Sequence, residues 1–154
     1  MSSPHRGQRV AVVALAFALA APIAAAHADP LVHYDVVDKA IPQSLTGVPG
    51  DPANGRKLVI DRARGNCLAC HEMPIPEQDF QGTIGPDLKG VADRLTEGQL
   101  RLRVVDAKAI TPDSVMPAFY RTDGLYRVAD KLAGKPIFSA QEVEDVVAYL
   151  ETLK

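Results

Sequence analysis

The chain contains only two cysteines, and both lie in the pentapeptide Cys67-Leu68-Ala69-Cys70-His71. C-x-x-C-H is the attachment motif of c-type haem. Each thiol can add across one vinyl group of the porphyrin, and the adjacent histidine then lies under the iron as its proximal ligand. We therefore expect Cys67 and Cys70 to attach one haem covalently and His71 to ligate its iron. Such a chain must fold so that the porphyrin becomes part of its core.

Two other kinds of site use closely spaced cysteines. A zinc knuckle needs further cysteine or histidine ligands, and the remaining histidines, His5, His27 and His33, all lie far upstream. A thioredoxin-like dithiol follows a strand in a βαβ unit, and no such pattern surrounds Cys67. The motif therefore indicates covalent haem rather than a metal knuckle or a redox dithiol.

The amino terminus has the features of an export signal. Arg6 and Arg9 form a short positive region, residues 10–26 are apolar and alanine-rich, and a small-x-small cleavage site ends at Ala28. A membrane anchor is the alternative, but the apolar stretch is shorter than the ~20 residues that usually span a bilayer. We expect the signal peptide, residues 1–28, to be removed and the mature chain to be periplasmic. Bacterial haem attachment also follows export, so the two signals agree.

The composition is typical of one small domain with a cofactor in its core. Removal of residues 1–28 takes away two arginines and no acidic residue, so the formal net charge changes from −2 to −4. This charge does not indicate nucleic acid as a partner. The chain has no tryptophan and only 5% aromatic residues, a thin supply of large core side chains that a porphyrin would supplement.

The mature chain is predicted to begin with an N-terminal arm, residues 29–50, because prolines and glycines interrupt it and it has no helical period. The domain follows over residues 51–154. Asp51 can cap the free amides of a helix, and Pro52 suits its first position. This first helix is predicted to run to about Arg64. Its inner side is predicted to hold Leu58, Val59 and Ala63.

Two further helices are predicted. The stretch Ser139-Ala140-Gln141-Glu142 is a capping box, and the apolar residues of the helix that it opens have the spacing of one buried stripe. They are Val143, Val146, Val147, Leu150 and Leu153. The residues predicted to stay outside are Glu142, Glu144, Asp145 and Glu151. Another helix is predicted to begin after Thr96 and to run to about Ala107, with Leu100, Val104 and Val105 inward. No strand pair is evident, so the predicted fold is all-α, with three main helices around one haem.

The second axial ligand is predicted by elimination. In electron-transfer proteins, haem c iron takes methionine or histidine opposite its proximal histidine. Met1 leaves with the signal peptide, and Met73 is too close to His71 to pass around the porphyrin edge. A proline follows Met116 and would hold its loop extended, so we predict Met116 as the ligand. Ligation by His33, or five-coordinate iron with Met116 as a core side chain, is the alternative.

A rigid turn at Gly85-Pro86 lies between these predicted ligands. A metal-bound histidine normally donates its other ring N–H to a nearby acceptor, which fixes the tautomer. A backbone carbonyl of this turn could accept from His71. An ordinary surface turn is the alternative.

Four basic residues lie on or just after the first predicted helix: Arg56, Lys57, Arg62 and Arg64. They could steer an acidic partner toward the chain. Such a run is more often a solvated helix face. The sequence does not decide between the two.

Together these motifs resemble class I cytochrome c. The shared elements are C-x-x-C-H, Gly85-Pro86-x-Leu88-x-Gly90, Met116-Pro117 and the terminal Tyr149-Leu150. The resemblance implies the cytochrome c fold with loop extensions, in which the Pro86 carbonyl accepts from His71. It also implies that Gly55 of the first helix packs against Tyr149 of the last.

Finer features resemble one branch of that family, the SoxX subunits of SoxAX thiosulfate-oxidising complexes. They are Ile41-Pro42-Gln43-Ser44-Leu45-Thr46-Gly47, Gly50-Asp51-Pro52, Gly65-Asn66 before the haem motif, Val115-Met116-Pro117-Ala118-Phe119-Tyr120, Gly134-Lys135-Pro136-Ile137 and Val146-Val147-Ala148-Tyr149-Leu150. This resemblance implies a heterodimer with a SoxA-like haem subunit, in which thiosulfate is oxidatively joined to a cysteine of a sulfur-carrier protein. The complex is an L-cysteine S-thiosulfotransferase.

Within such a complex this chain would accept the electrons and pass them to a soluble c-type cytochrome. It would contribute no catalytic residue, because a six-coordinate iron has no open position and both cysteines are consumed. A free-standing electron shuttle is the alternative, whereas a haem sensor or peroxidase needs an open distal site. A subunit should carry extra segments that bury against a partner, and residues 29–50 and 119–138 are the candidates. Otherwise both segments wrap their own domain.

Overall fold

The computed structural model describes residues 31–154. The predicted signal peptide and the first two residues of the predicted arm lie outside this range. The described helices are α1 (Pro52–Ile60), α2 (Val91–Arg94), α3 (Glu97–Asp106) and α4 (Ala140–Glu151), with 3-10 turns at Cys67–Ala69, Ala107–Ala109 and Asp130–Leu132. Within these residues no strand forms apart from an isolated bridge between Val37 and Ala40, which confirms the all-α prediction. None of these helices is long and apolar enough to cross a membrane.

Helix α1 begins where the sequence predicts. The Asp51 carboxylate accepts a hydrogen bond from the Ala53 amide at 2.8 Å, and Pro52 occupies the first turn. Leu58 and Val59 are buried, as expected. The capping residue therefore sets the start of the helix.

The predicted end of this helix is wrong. It stops at Ile60 rather than near Arg64, because Asp61 is extended and its carboxylate accepts the Ala63 amide at 2.8 Å. Aspartate side chains compete with helix formation in this way. Ala63 is consequently exposed instead of inward.

Helices α3 and α4 both begin with a capping box. Thr96 and Gln99 exchange hydrogen bonds at the start of α3, and Ser139 and Glu142 do the same at the start of α4. The buried residues of the two helices include those predicted from their spacing, namely Leu100, Val104, Val105, Val143, Val146, Val147, Leu150 and, just after α4, Leu153. The two predicted helices are thus confirmed.

Helices α1 and α4 come into backbone contact at Gly55. A Cβ atom on Gly55 would overlap the carbonyl oxygen of Asp145 and would lie 2.9 Å from the Cβ of Tyr149. The contact between Gly55 and Tyr149 that the resemblance implies is therefore present. Only glycine permits so close an approach, and the two helices form the framework from which the remaining loops extend.

Two acidic residues of α4 are buried, contrary to the prediction that they stay outside. Glu144 and Asp145 are 4% and 5% exposed, whereas Glu142 is partly exposed and Glu151 is exposed. Glu144 pairs with the buried Arg101 of α3, with Nε 2.9 Å from Oε1. Buried carboxylates are tolerated only when paired or hydrogen-bonded, and helical spacing alone could not reveal this partner.

The arm covers this charged face of α4. Ile41 and Leu45 are 0% and 5% exposed. The Leu45 amide donates to Glu144 at 2.8 Å, and Arg101 donates to the Ile41 carbonyl at 2.8 Å. The described part of the arm, from residue 31, therefore packs on its own domain.

Asp145 is held by a second set of donors. Burial raises the pKa of Asp145, but hydrogen bonds from the Asp51 amide and from Asn54 outweigh it and hold the pKa below its usual value. These bonds measure 2.8 Å and 2.7 Å. They tie the start of α1 to α4 next to Gly55.

We expect Glu144→Gln to lower the free energy of unfolding by about 3 kcal/mol, because it leaves the buried charge of Arg101 with only the exposed Glu97 as a counter-charge. Urea unfolding measures this loss. The matched control is Glu97→Gln, which removes the exposed partner of the same arginine and should cost less than about 1 kcal/mol. Equal losses in the two variants would contradict the assignment.

Candidate haem site

An apolar cavity of about 480 Å³ lies beside the Cys67–His71 segment. Its volume falls within the roughly 300–1,000 Å³ of pockets that hold small molecules and cofactors. All four helices contribute to its wall. Apolar lining residues include Val59, Leu88, Val91, Leu100, Val104, Phe138, Val146 and Leu150.

Three of the predicted site residues line this one cavity: Cys67, His71 and Met116. The carbonyl-bearing Pro86 lines it too. Cys70 is partly exposed and His33 is exposed, and neither is part of the wall. The structure thus brings the two predicted iron ligands to a common space and leaves the alternative ligand His33 outside it.

The ring of His71 is fixed by the turn at Gly85-Pro86. Its Nδ1 lies 2.7 Å from the Pro86 carbonyl oxygen, so the tautomer protonated at Nδ1 donates to Pro86 and leaves Nε2 free to bind a metal. A Cβ on Gly85 would overlap the imidazole ring. Glycine at this position therefore gives the ring the room that it needs.

The Cys67–His71 segment is a tight 3-10 turn, in which the amides of Cys70 and His71 donate to the Cys67 carbonyl at 3.1 and 2.9 Å. Burial raises the pKa of the Cys67 thiol to about 12. A reactive dithiol needs a lowered thiol pKa, so this environment disfavours a redox dithiol. The described residues also contain no cluster of three or more histidine, cysteine or acidic side chains of the kind that zinc requires.

These features fit the group that the sequence predicts. The cavity is lined mainly by aliphatic side chains, as a porphyrin face requires. Its wall includes the imidazole of His71, the thioether of Met116 and the thiol of Cys67. The donor set is the one that haem c uses.

Two arginines on the cavity wall were not singled out in the sequence. They are Arg94 of α2 and Arg103 of α3. Arg103 follows Leu100 by three residues, so helical spacing would have placed it on the inward face. Arg94 lies in a four-residue helix whose face the sequence pattern does not define.

The basic cluster does not form a free cationic face. Arg56 pairs with Glu77, and Arg64 binds Glu142 at 2.6 Å. Lys57 and Arg62 are exposed, and within residues 31–154 neither forms an ion pair. Two of the four basic residues are therefore neutralised by their own neighbours, and the other two remain exposed.

Comparisons with known proteins agree with this site. The cytochrome c family model matches residues 52–154. A chain of the crystal structure of SoxXA from P. pantotrophus matches with a TM-score of 0.73 and 46% sequence identity, over 79% of this chain and 94% of that chain. None of the curated proteins compared with the chain matches it significantly. The predicted fold and the resemblance to SoxX are thereby confirmed, and the chain belongs to the cytochrome c family.

Proposed function

We propose that the chain is a monohaem c-type cytochrome and the electron-transfer subunit of a periplasmic SoxAX-like heterodimer. The observation that carries the haem assignment is the apolar cavity whose wall includes Cys67, His71 and Met116 together. Cys67 and Cys70 would hold the porphyrin covalently, and His71 and Met116 would be the axial ligands. When bound, the haem supplies reversible one-electron chemistry.

The residues of the chain orient and shield this group rather than act on a substrate. Pro86 holds the His71 ring through its carbonyl, and the aliphatic wall keeps water away from it, which tunes the potential of a metal site. With His71 and Met116 bound to the iron and both thiols consumed, no group of this chain would remain for sulfur chemistry. The chain would therefore contribute no catalytic residue.

The heterodimer proposal is supported by the 46% identity to a chain of SoxXA and by an exposed apolar segment. Leu125, Tyr126 and Val128 are 39%, 91% and 38% exposed, although Phe119 and Tyr120 of the same predicted segment are buried in the domain. Exposed aromatic and aliphatic side chains that lie together are typical of protein interfaces. A SoxA-like haem subunit is the proposed partner there.

The complex would conjugate thiosulfate to a cysteine of a sulfur-carrier protein, as an L-cysteine S-thiosulfotransferase. This chain would receive the electrons and pass them to a soluble c-type cytochrome. We also propose that the chain is exported and that its signal peptide, residues 1–28, is removed. A free-standing shuttle would use the same haem site without the partner.

We expect the exported protein to carry one covalently added haem, visible by mass spectrometry of the chain beginning at Asp29. The matched variant Cys67→Ala/Cys70→Ala should lose it. A native mass equal to that of the bare polypeptide, in a host that matures c-type cytochromes, would contradict the assignment.

Met116→Leu should remove the sulfur–iron charge-transfer band from the ferric spectrum and lower the reduction potential, because His/Met ligation raises it. Met73→Leu is the matched control, since Met73 lines the same cavity and is not a predicted ligand. An unchanged spectrum in Met116→Leu would transfer the role to another group.

We expect the isolated chain to be reducible but inactive on thiosulfate, and to copurify with a second haem-bearing subunit when both are expressed. Adding that subunit and a carrier protein should restore thiosulfate conjugation. In the complex, the amides of residues 124–128 should exchange more slowly with deuterium. Conjugation by this chain alone, or elution of the native protein as a monomer, would refute the subunit proposal.

A further inference from the structure

The Pro86 carbonyl, which accepts from the His71 ring, belongs to a segment whose amides are hydrogen-bonded to the residues before and after His71. The Gly85 amide donates to the Cys70 carbonyl at 2.7 Å, and the Leu88 amide donates to the Glu72 carbonyl at 2.9 Å. Between these two bonds, Pro86 accepts from the His71 ring. The position of the 85–88 segment therefore decides where the imidazole points.

The backbone that follows Pro86 is held by the guanidinium of Arg94. Arg94 donates from Nη1 to the Lys89 carbonyl at 2.7 Å and from Nη2 to the Asp87 carbonyl at 2.8 Å. The Asp87 carboxylate also accepts the Lys89 amide at 2.8 Å, which tightens the same turn. The planar guanidinium has donors in a rigid fork, so it fixes the two carbonyls relative to each other.

Helix α2, which carries Arg94, is anchored to the rest of the domain. Val91 is 3% exposed, and the Ala92 amide donates to the carbonyl of Leu153 after α4 at 3.1 Å. In the part of the chain that the structure describes, no carboxylate pairs with Arg94. Its hydrogen bonds are thus directed to the turn that follows Pro86.

We infer that Arg94 is a positioning residue for His71, which it orients by clamping the Asp87 and Lys89 carbonyls and so fixing the Pro86 carbonyl. The inference rests on the proposed haem site and extends it. A firmly held acceptor makes the ligating imidazole more basic and sets its orientation. Loss of the clamp loosens the hydrogen bond without removing any ligand.

The neighbouring cavity arginine supplies a matched control. Arg103 also lines the cavity, but its Nη1 donates to the carbonyl of Gln99 in its own helix at 2.9 Å. It therefore carries the same charge into the same space without touching the 85–89 turn. Substituting it separates the effect of charge from that of the clamp.

The test is Arg94→Lys, which keeps the charge and loses the fork, compared with Arg103→Gln in the haem-loaded protein. In Arg94→Lys, NMR of the reduced protein should show His71 Nδ1–H exchange accelerated roughly tenfold or more, since the bidentate pair of hydrogen bonds to the turn is lost. The midpoint potential should rise, because a less basic imidazole favours the ferric state less. Arg103→Gln should leave the exchange rate unchanged.

Wild-type exchange and potential in Arg94→Lys would overturn the inference, and so would equal acceleration in Arg103→Gln. If Arg94→Lys does not fold, Arg94→Gln also loses the fork and should show the same accelerated exchange. The haem content of each variant is measured first by mass. A wild-type chain without haem contradicts the proposed function, whereas a haem-loaded Arg94→Lys that behaves as wild type contradicts only the role of Arg94.

Discussion

The backbone contact between α1 and α4 at Gly55 is the constraint on which the rest of the structure depends. With no side chain at Gly55, the Asp145 carbonyl and Tyr149 come against α1 directly. The start of α1 is tied to Asp145 as well. Because the Cys67–His71 segment follows α1 closely, this contact fixes where that segment leaves the framework and meets the cavity.

The candidate site combines a rigid side with an aliphatic wall. His71 is held through Pro86, and the turn after Pro86 is held through Arg94. Met116 lines the cavity from a different loop, one that follows α3 in the sequence. An arrangement in which the proposed ligand His71 is held by a hydrogen bond and surrounded by apolar side chains suits electron transfer, since both features control the potential of a bound metal.

The arm covers part of the surface of its own domain. The residues that attach it, Ile41 and Leu45, lie over a buried ion pair between Arg101 and Glu144. Ile41 and Leu45 bring part of the arm into the core, whereas exposed apolar side chains remain on the arm at Val36 and Val37 and also near Tyr126. A buried pair of this kind adds little net stability but strongly disfavours arrangements that separate its members.

Much of the site could be predicted from the sequence because covalent chemistry and local geometry determine it. Cys67, Cys70 and His71 have a spacing that attachment to one porphyrin requires, and the capping residues Ser139 and Thr96 act on amides only three residues away. Interactions of this kind involve only residues that are close in sequence, so they can be predicted without knowledge of the fold.

Other features were decided by the tertiary structure alone. Glu144 and Asp145 look like solvent-facing residues of an amphipathic helix, and only the arrival of Arg101, Asn54 and the arm makes their burial favourable. The position of Arg94 beside the His71 turn likewise depends on where α2 docks on the end of α4. The sequence by itself determined the chemistry at the haem motif and the starts of the helices, because neighbours along the chain supply those interactions. The partners of the buried charges and the support behind the histidine come from distant segments, and only folding brings these together.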